Sequence, residues 1–389
     1  MSECSDKPGL IALLRSERQL LLSDPWLFAS VTFIPVALFV FFLLLFRQGI
    51  VHELPLAVVD YDNSSLSRSL LMALDGDDSL QLRVMPSEQD AATALRGGQV
   101  YGTVTIPARF EQNVIKGFSP RLTTRCNYQF VLVGKILDSA TKAVIATFNA
   151  SLATEREMRS GSPVPLQAMG EAVPSRRQIT SLYNTGLDYS QFLVTAILPA
   201  IWQIIMVSAM VLVWAAEERR TGVDRWLLGF VVPKMLVRLI FYQVIFLALS
   251  LFFLSLFASM GWPMNGEIRW VLFSQWLTIL ACQGVATLVY LLVRDPARAL
   301  GVAAAYTAPG FAFMGVTFPL TDMDLFARSW NAILPIASYM EVQISVLNHA
   351  APLSAIVPSL VNLAAFLPVY ILVALVIWRV RNKNRGAVL

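Results

Sequence analysis

Six long blocks of almost uncharged, apolar residues constrain the fold of this chain more than any other feature. They cover residues 26–46, 192–216, 239–260, 271–293, 299–319 and 356–378. A helix needs roughly 20 apolar residues to cross about 30 Å of hydrocarbon, so each block is long enough to span a membrane. Only 14% of the 389 residues are charged, whereas soluble domains carry about 25%. The sequence therefore predicts an α-helical membrane protein with six transmembrane helices.

The first block is interpreted as an uncleaved anchor. The alternative is a cleaved signal peptide, but the block starts late and runs long, and no small-residue cleavage site follows it in "LLLFRQGIVHELP".

The distribution of basic residues predicts the orientation of the helices. Short loops on the cytoplasmic side of a membrane carry an excess of Lys and Arg. The short loops and ends on one side hold fourteen such residues, and those on the other side hold two, Arg269 and Arg328. The fourteen are Lys7, Arg15, Arg18, Arg219, Arg220, Arg225, Lys234, Arg238, Arg294, Arg298, Arg379, Arg381, Lys383 and Arg385. Both ends of the chain are therefore expected in the cytoplasm. The net charge of +4 is explained by this asymmetry and requires no nucleic acid partner.

The long segment between the first two spans, residues 47–189, is predicted to be an extracytoplasmic α/β domain. Short apolar runs such as "LPLAVVDYD" and "VYGTVTIP" read as strands, and they alternate with capped helical patterns that end at glycine. This alternation is typical of an open sheet covered by helices. A long helix is expected over residues 130–158, followed by a linker over 160–175 that leads back to the membrane.

The sequence contains no recognisable catalytic or metal site. The only Gly-Lys pair is Gly134-Lys135, and Gln129 stands where a Walker A loop would begin with glycine, so the chain is not expected to hydrolyse ATP. Asp60 and Asp62 follow the first strand, where they either form a metal or phosphate site or merely turn and cap the next helix; we favour the second reading. With two histidines in separate loops, a zinc site is not expected. No disulfide is expected either, because the three cysteines are separated by the membrane: Cys4, Cys126 and Cys282.

A few uncharged polar residues lie within the predicted spans. They are Gln203, Gln243, Gln275, Gln283 and Asn362. Such groups either hydrogen-bond neighbouring helices or line a translocation path, and helix–helix bonding is the commoner role. No acidic residue lies in the middle of a predicted span, which argues against a proton- or sodium-coupled carrier.

The most distinctive charged stretch is "AAEERRTGVDRW", residues 215–226, which puts six charges into twelve residues directly after the second span. The sequence leading into it is "DYSQFLVTAILPAIWQIIMVSAMVLVW". This stretch, together with "LPLAVVDYDNSSLSRSLLMAL" and "ALRGGQVYGTVTIPARFEQNVIKG", resembles the bacterial type-2 family of ABC transporter permeases. The order of one span, an outer domain and five spans is similar to that family over nearly the whole chain.

The resemblance implies an exporter subunit of the bacterial inner membrane that uses ATP only through a separate ATPase subunit. In that family the charged turn after the second span is a coupling helix that docks on the ATPase. Here it corresponds to Glu217, Glu218, Arg219, Arg220, Thr221 and Gly222. The charges are expected to meet the partner's surface, and the glycine is expected to end the helix in a left-handed conformation. Further implied partners are a second copy or a paralogous permease, and a periplasmic adaptor is a candidate.

Two other segments match the family. Residues 1–25 contain "PGLIALLRSERQLLLSDP", which resembles its cytoplasmic interface helix, and residues 321–350 are expected to form short helices that dip back from the outer side. Alternatives remain open for the stretch and for the chain. The alternative for residues 215–226 is a topogenic loop whose charges only anchor the spans. The alternatives for the whole chain are a membrane receptor or scaffold, or a secondary carrier.

Overall fold

The computed structural model describes residues 9–47, 53–160, 183–184, 188–222 and 231–386, with the side chains of 131–132, 159–160 and 383–386 excepted. The chain divides into two compact units. One comprises Met1–Gly49 and Leu182–Leu389, and the other comprises Ile50–Ser181. Cys4 and the predicted linker over 161–175 lie outside the described residues.

The smaller unit alternates strands and helices in the order expected from the sequence. Its elements are β1 Leu54–Asp60, α4 Ser65–Asp75, β2 Leu80–Val84, α5 Glu88–Arg96, β3 Gly102–Ile106, α6 Phe110–Ile115, β4 Thr123–Cys126 and α7 Val131–Ser160. The strands form one sheet in the order β2-β1-β3-β4. β1 pairs in parallel with β2 and β3, and β4 is an antiparallel edge strand paired with β3.

Strand β1 lies inside the sheet, between β2 and β3, and helices cover both of its faces. Leu56 and Val58 point to one face, where they pack with residues of α4, α6 and α7. Ala57 and Val59 point to the other face, where they pack against α5. A strand buried on both sides reads as a continuous apolar run, which is why "LPLAVV" shows no alternation.

The two aspartates after β1 accept hydrogen bonds within the turn and from two helices of the same unit. Asp60 accepts bonds from the backbone N–H groups of Asp62 and Asn63 at 2.9 and 3.1 Å, and from the Ser67 hydroxyl at 2.7 Å. Asp62 accepts a bond from the Glu111 N–H at the start of α6. Ser64 caps α4. The capping interpretation holds for Ser64, which caps the next helix, whereas Asp62 bonds the start of α6 instead. Within the described residues no group of three or more His, Cys, Asp or Glu side chains could hold a metal ion.

The larger unit is helical. Its elements are α1 Leu10–Ser23, α2 Pro25–Val31, α3 Phe33–Leu45, α8 Tyr189–Thr221, α9 Val231–Ser259, α10 Ile268–Val293, α11 Pro296–Thr307, α12 Gly310–Phe313, α13 Leu325–Ala332, α14 Pro335–Leu347, α15 Leu353–Ala364 and α16 Val369–Gly386. Within the described part of the chain, five segments are long and apolar enough to cross a membrane. They are Pro25–Leu45, Tyr189–Thr221, Val231–Ser259, Ile268–Val293 and Leu353–Asn382. The chain is therefore a helical membrane protein.

The predicted span at residues 299–319 is not one continuous helix. Helix α11 ends at Thr307, and the short α12 begins after Pro309. A proline inside a helix lacks the N–H for the backbone ladder and its ring clashes with the preceding turn, so the helix breaks there. The segment over 321–350 forms the short helices α13 and α14, which is the local structure that the family resemblance implies.

Helix α8 lies at the centre of this unit. It packs against α3, α10 and α11, and most of its apolar residues are buried. Its 33 residues extend over about 50 Å, because an α-helix rises about 1.5 Å per residue. That length exceeds the ~30 Å of a bilayer's hydrocarbon, so the ends of α8 extend beyond the apolar layer. The C-terminal end of α8 carries the charged sequence "EERRT", residues 217–221.

Candidate functional site

The charged stretch after the second span begins as part of that span's helix. Residues 215–221 form the last two turns of α8, which ends at Thr221. The remainder of the predicted coupling helix, residues 223–226, lies outside the described residues. The described charges are therefore rigidly joined to α8.

Gly222 directly follows the last residue of α8, as predicted for a helix stop, but it does not adopt the left-handed helical conformation. Gly222 has φ +89° and ψ 158°, and its N–H donates to the Glu218 carbonyl at 2.9 Å. This region of backbone space is accessible essentially to glycine alone. Glycine is therefore required at position 222, but the predicted left-handed helical conformation is wrong.

Glu217 is part of a buried group of charges that joins three helices. We call Glu17, Glu217 and Arg238 the Arg238 cluster. The Arg238 guanidinium donates through Nε and Nη2 to both carboxylate oxygens of Glu17, at 2.8 and 2.7 Å, and through Nη2 to Glu217 at 2.9 Å. All three side chains are buried: Arg238 is 4% exposed, Glu17 is 6% exposed and Glu217 is 8% exposed. Because they come from α9, α1 and α8, the cluster fixes these helices to one another.

The surroundings of the cluster compensate for the burial of its charge. The Arg238 guanidinium carbon lies 4.9 Å from the centre of the Trp214 ring, a distance suited to a cation–π interaction. The Trp214 indole N–H donates to the Thr287 hydroxyl at 3.0 Å, which brings α10 into the same assembly. Losing Arg238 would leave both carboxylates buried and unpaired, which is strongly destabilising.

A second layer of polar contacts surrounds the cluster. The Tyr290 hydroxyl on α10 donates to the Glu218 carboxylate. Arg219 donates to Asp24 at 2.7 Å, the residue that caps α2. Arg220 lies 3.4 Å from the Ser16 hydroxyl of α1. These contacts tie the end of α8 to the segment before the first span.

The acidic and basic residues of the stretch therefore face different ways. Glu217 is buried and Glu218 is partly buried, whereas Arg219 and Arg220 are exposed. The expectation that all four charges meet a partner's surface is wrong for Glu217, because it is committed to Arg238 within the chain. The two arginines are the ones accessible to another protein.

Comparison with known proteins identifies the family. A model of the ABC-2 family transporter proteins matches residues 25–376. The chain belongs to this family. No significant match to a curated protein was found.

In this ABC-2 protein, four of the five polar residues singled out in the spans bond neighbouring helices. Gln203 accepts from the Ile336 N–H at 3.1 Å, Gln243 donates to the Trp276 carbonyl at 3.0 Å, and Gln283 donates to the Leu239 carbonyl at 3.0 Å. Gln275 accepts from Ser250 and donates to Tyr339, each at 3.0 Å. All four glutamines are buried, and only Asn362 is exposed.

Three functional candidates in the ABC-2 protein were missed in the sequence. Glu17 and Arg238 were counted only as interface and orientation residues. Arg238 lies about two turns inside an apolar helix, and an ionisable residue at such depth indicates a specific partner. Glu341 is the third. It accepts a hydrogen bond from the Ser359 hydroxyl at 2.7 Å and is the one acidic residue of α14.

Proposed function

We propose that this chain is the permease subunit of an ATP-binding cassette exporter, and that the end of α8 couples it to a separate ATPase subunit. Membership of the ABC-2 family supports the permease assignment. The ATPase partner, the direction of transport and the orientation in the membrane are further parts of the proposal. The observation that carries the coupling claim is the Arg238 cluster, because it joins the exposed end of α8 to two other helices.

In this proposal Arg219 and Arg220 contact the ATPase, and the Arg238 cluster transmits its movement. A displacement at the end of α8 can move the spans only if that end is rigidly attached to them. The two bonds from Arg238 to Glu17 and the bond to Glu217 supply the attachment between α1, α8 and α9. The bonds from Trp214 to Thr287 and from Tyr290 to Glu218 extend it to α10.

The proposed membrane arrangement has six crossings, with both ends of the chain in the cytoplasm. The broken segment formed by α11 and α12 would make the fifth crossing, and α13 and α14 would lie towards the outer side. The unit Ile50–Ser181 would be extracytoplasmic. The excess of Lys and Arg in the loops of one side supports this orientation. Two copies, or this chain and a paralogue, would enclose the path in the bacterial inner membrane.

Purification from native membranes tests the proposed coupling. An ATPase with a Walker A motif should co-purify with the tagged chain and should be lost from the variant Arg219→Glu/Arg220→Glu. The matched control is Arg298→Glu, which reverses an exposed arginine in the other predicted cytoplasmic loop and should retain the ATPase. Absence of any such ATPase from the wild-type preparation would favour a receptor or scaffold instead.

A further inference from the structure

An apolar groove lies between helices α9 and α16, and it has a volume of about 770 Å³. Volumes of 300–1,000 Å³ with mainly apolar walls and a few polar groups are typical of ligand sites. On α16 the groove is lined by Tyr370, Val373, Ala374, Ile377, Trp378 and Arg381. These positions follow the three-and-four spacing of one helix face. On α9 the lining residues include Val232, Leu236 and Leu239, also on one face.

The packing of α16 explains why the groove exists. At its start α16 is held against α10, where the Tyr370 hydroxyl donates to the Leu280 carbonyl at 2.9 Å. Gly284 permits this close approach, since a Cβ there would lie 2.4 Å from Val369. Helix α16 packs against α10 rather than against α9, so the space between α9 and α16 is left open.

The polar groups of the groove are concentrated at one end. Arg381 and Asn382 line it there, in the last turns of α16. Neither Arg381 nor Asn382 has a hydrogen bond or ion pair within the described part of the chain. The groove therefore combines apolar walls with one uncommitted guanidinium at its mouth.

The length of the groove matches one leaflet of a bilayer. Tyr370 and Arg381 are eleven residues apart, which corresponds to about 16 Å along a helix that rises ~1.5 Å per residue. Half of a hydrocarbon layer of about 30 Å is ~15 Å. The end with Arg381 belongs to the side that carries the excess of basic residues, where anionic headgroups interact with Lys and Arg.

We infer that this groove binds an anionic glycerophospholipid, with its acyl chains along α9 and α16 and its phosphate on Arg381. This lipid is a bound component of the protein and is distinct from the exported substrate. The inference uses the proposed orientation only to say which leaflet supplies the lipid, and the binding itself does not depend on it.

Brominated lipids provide the test, because bromine quenches the fluorescence of a tryptophan that it touches and Trp378 lines the groove. The full chain is reconstituted into phosphatidylcholine vesicles that contain a small fraction of either brominated phosphatidylglycerol or brominated phosphatidylcholine. The signal of Trp378 is the difference between wild type and Trp378→Phe. Phosphatidylglycerol should quench this signal at about fivefold lower mole fraction than phosphatidylcholine, since a basic residue at the surface attracts an anionic lipid by ~1 kcal/mol.

Variants separate the proposed site from the surrounding bilayer. Arg381→Gln should abolish the preference for phosphatidylglycerol, and Ala374→Phe should do so by filling the groove. Arg379→Gln is the matched control, because Arg379 is an exposed arginine of the same helix outside the groove, and it should keep the preference. Soluble glycerol phosphate in excess should not remove the preference.

Three results would overturn the inference. Equal quenching by both lipids in the wild type would mean that the groove does not select an anionic lipid. No quenching by either lipid would mean that another protein surface, such as a second copy of the chain, covers the groove. Loss of the preference in glycerol phosphate would indicate a site for the headgroup alone. None of these results bears on whether an ATPase binds, so failure here leaves the proposed function intact.

Discussion

At the residue scale, the interior of the larger unit depends on one buried arginine. Arg238 bonds Glu17 and Glu217, and its positive charge is what makes two buried carboxylates tolerable. A buried ion pair need not add stability compared with apolar residues, but breaking it by removing one partner is costly. We therefore expect a single substitution in the Arg238 cluster to lower the free energy of unfolding more than a combined substitution of all three residues.

Arg238→Met should destabilise the folded protein by about 3–5 kcal/mol, because Glu17 and Glu217 remain buried without a counter-charge. The triple variant Glu17→Met/Glu217→Met/Arg238→Met should recover most of that loss, since no charge is left in the site. Thermal unfolding of the purified chain measures both effects. Arg379→Met is the control, and as an exposed substitution it should change stability by no more than about 0.5 kcal/mol. Equal destabilisation in the single and triple variants would contradict the electrostatic account.

The Asp62 side chain gives a pH-dependent prediction. Burial acts to raise its pKa, but the hydrogen bonds from Ser64 and from the backbone at the start of α6 outweigh it and lower the pKa below the ordinary value. A carboxyl with a lowered folded pKa stabilises the fold above its unfolded pKa of about 3.9, and this contribution disappears as the pH falls through the folded pKa. Asp62→Ala should therefore speed hydrogen exchange in Phe110–Ile115 at neutral pH. The difference from wild type should vanish below the folded pKa; a difference that persists there would refute the assignment.

At the element scale, the end of α8 is defined by one glycine. Gly222 adopts a positive φ with an extended ψ, which L-residues avoid. Because these φ and ψ values are not helical, the backbone departs from the helix axis at this residue. In the proposed function, a strained residue at position 222 would disturb the last turn of α8, which carries Arg219 and Arg220.

Gly222→Val should cost about 1–3 kcal/mol locally, because a β-branched residue is strained in this conformation. We expect normal membrane insertion and weaker binding of the ATPase, measured by co-purification from membranes. Ala substitution should be intermediate. Full ATPase binding by the Val variant would show that the helix end is not part of the docking geometry.

The elements of the smaller unit could be predicted from the sequence, whereas the contacts of the Arg238 cluster could not. A capping serine and a following glycine mark α4 and α5, and Gly117 follows α6, so local signals locate these helices. Glu17 and Arg238 are 221 residues apart, and only the packing of α1 beside α9 brings them together. The position of Arg238 inside an apolar helix indicates a partner but does not say which one, and no local pattern marks Glu17 in the predicted interface helix as that partner. The break at Pro309 was visible, but an apolar block with a proline fits both a kinked span and two helices.

At the scale of the whole molecule, the two compact units suggest that the smaller one is self-sufficient. Its sheet is covered on both faces by its own helices. Residues 51–175 should therefore fold when expressed alone, as judged by circular dichroism and a cooperative unfolding transition. A disordered spectrum would mean that this unit is formed only against the spans or a partner.

The orientation can be tested on the intact chain. Reporter fusions after Gly222 and at the C-terminal end should report the cytoplasm, and a fusion near Gly117 should report the outside. This follows from the fourteen basic residues in the short loops and ends of one side and the two on the other. A periplasmic signal after Gly222 would overturn both the orientation and the coupling role of α8.

We propose that Glu217 acts inside the chain, whereas Arg219 and Arg220 face the ATPase. The most direct test is the affinity of the ATPase for two folded variants of the permease. The triple methionine variant of the Arg238 cluster should bind the ATPase like wild type, because its exposed arginines are unchanged. Arg219→Glu/Arg220→Glu should lose binding by several kcal/mol if acidic groups of the ATPase face the arginines, since like charges then meet at the interface. Loss of binding in the triple variant, with binding retained in the arginine variant, would contradict the claim.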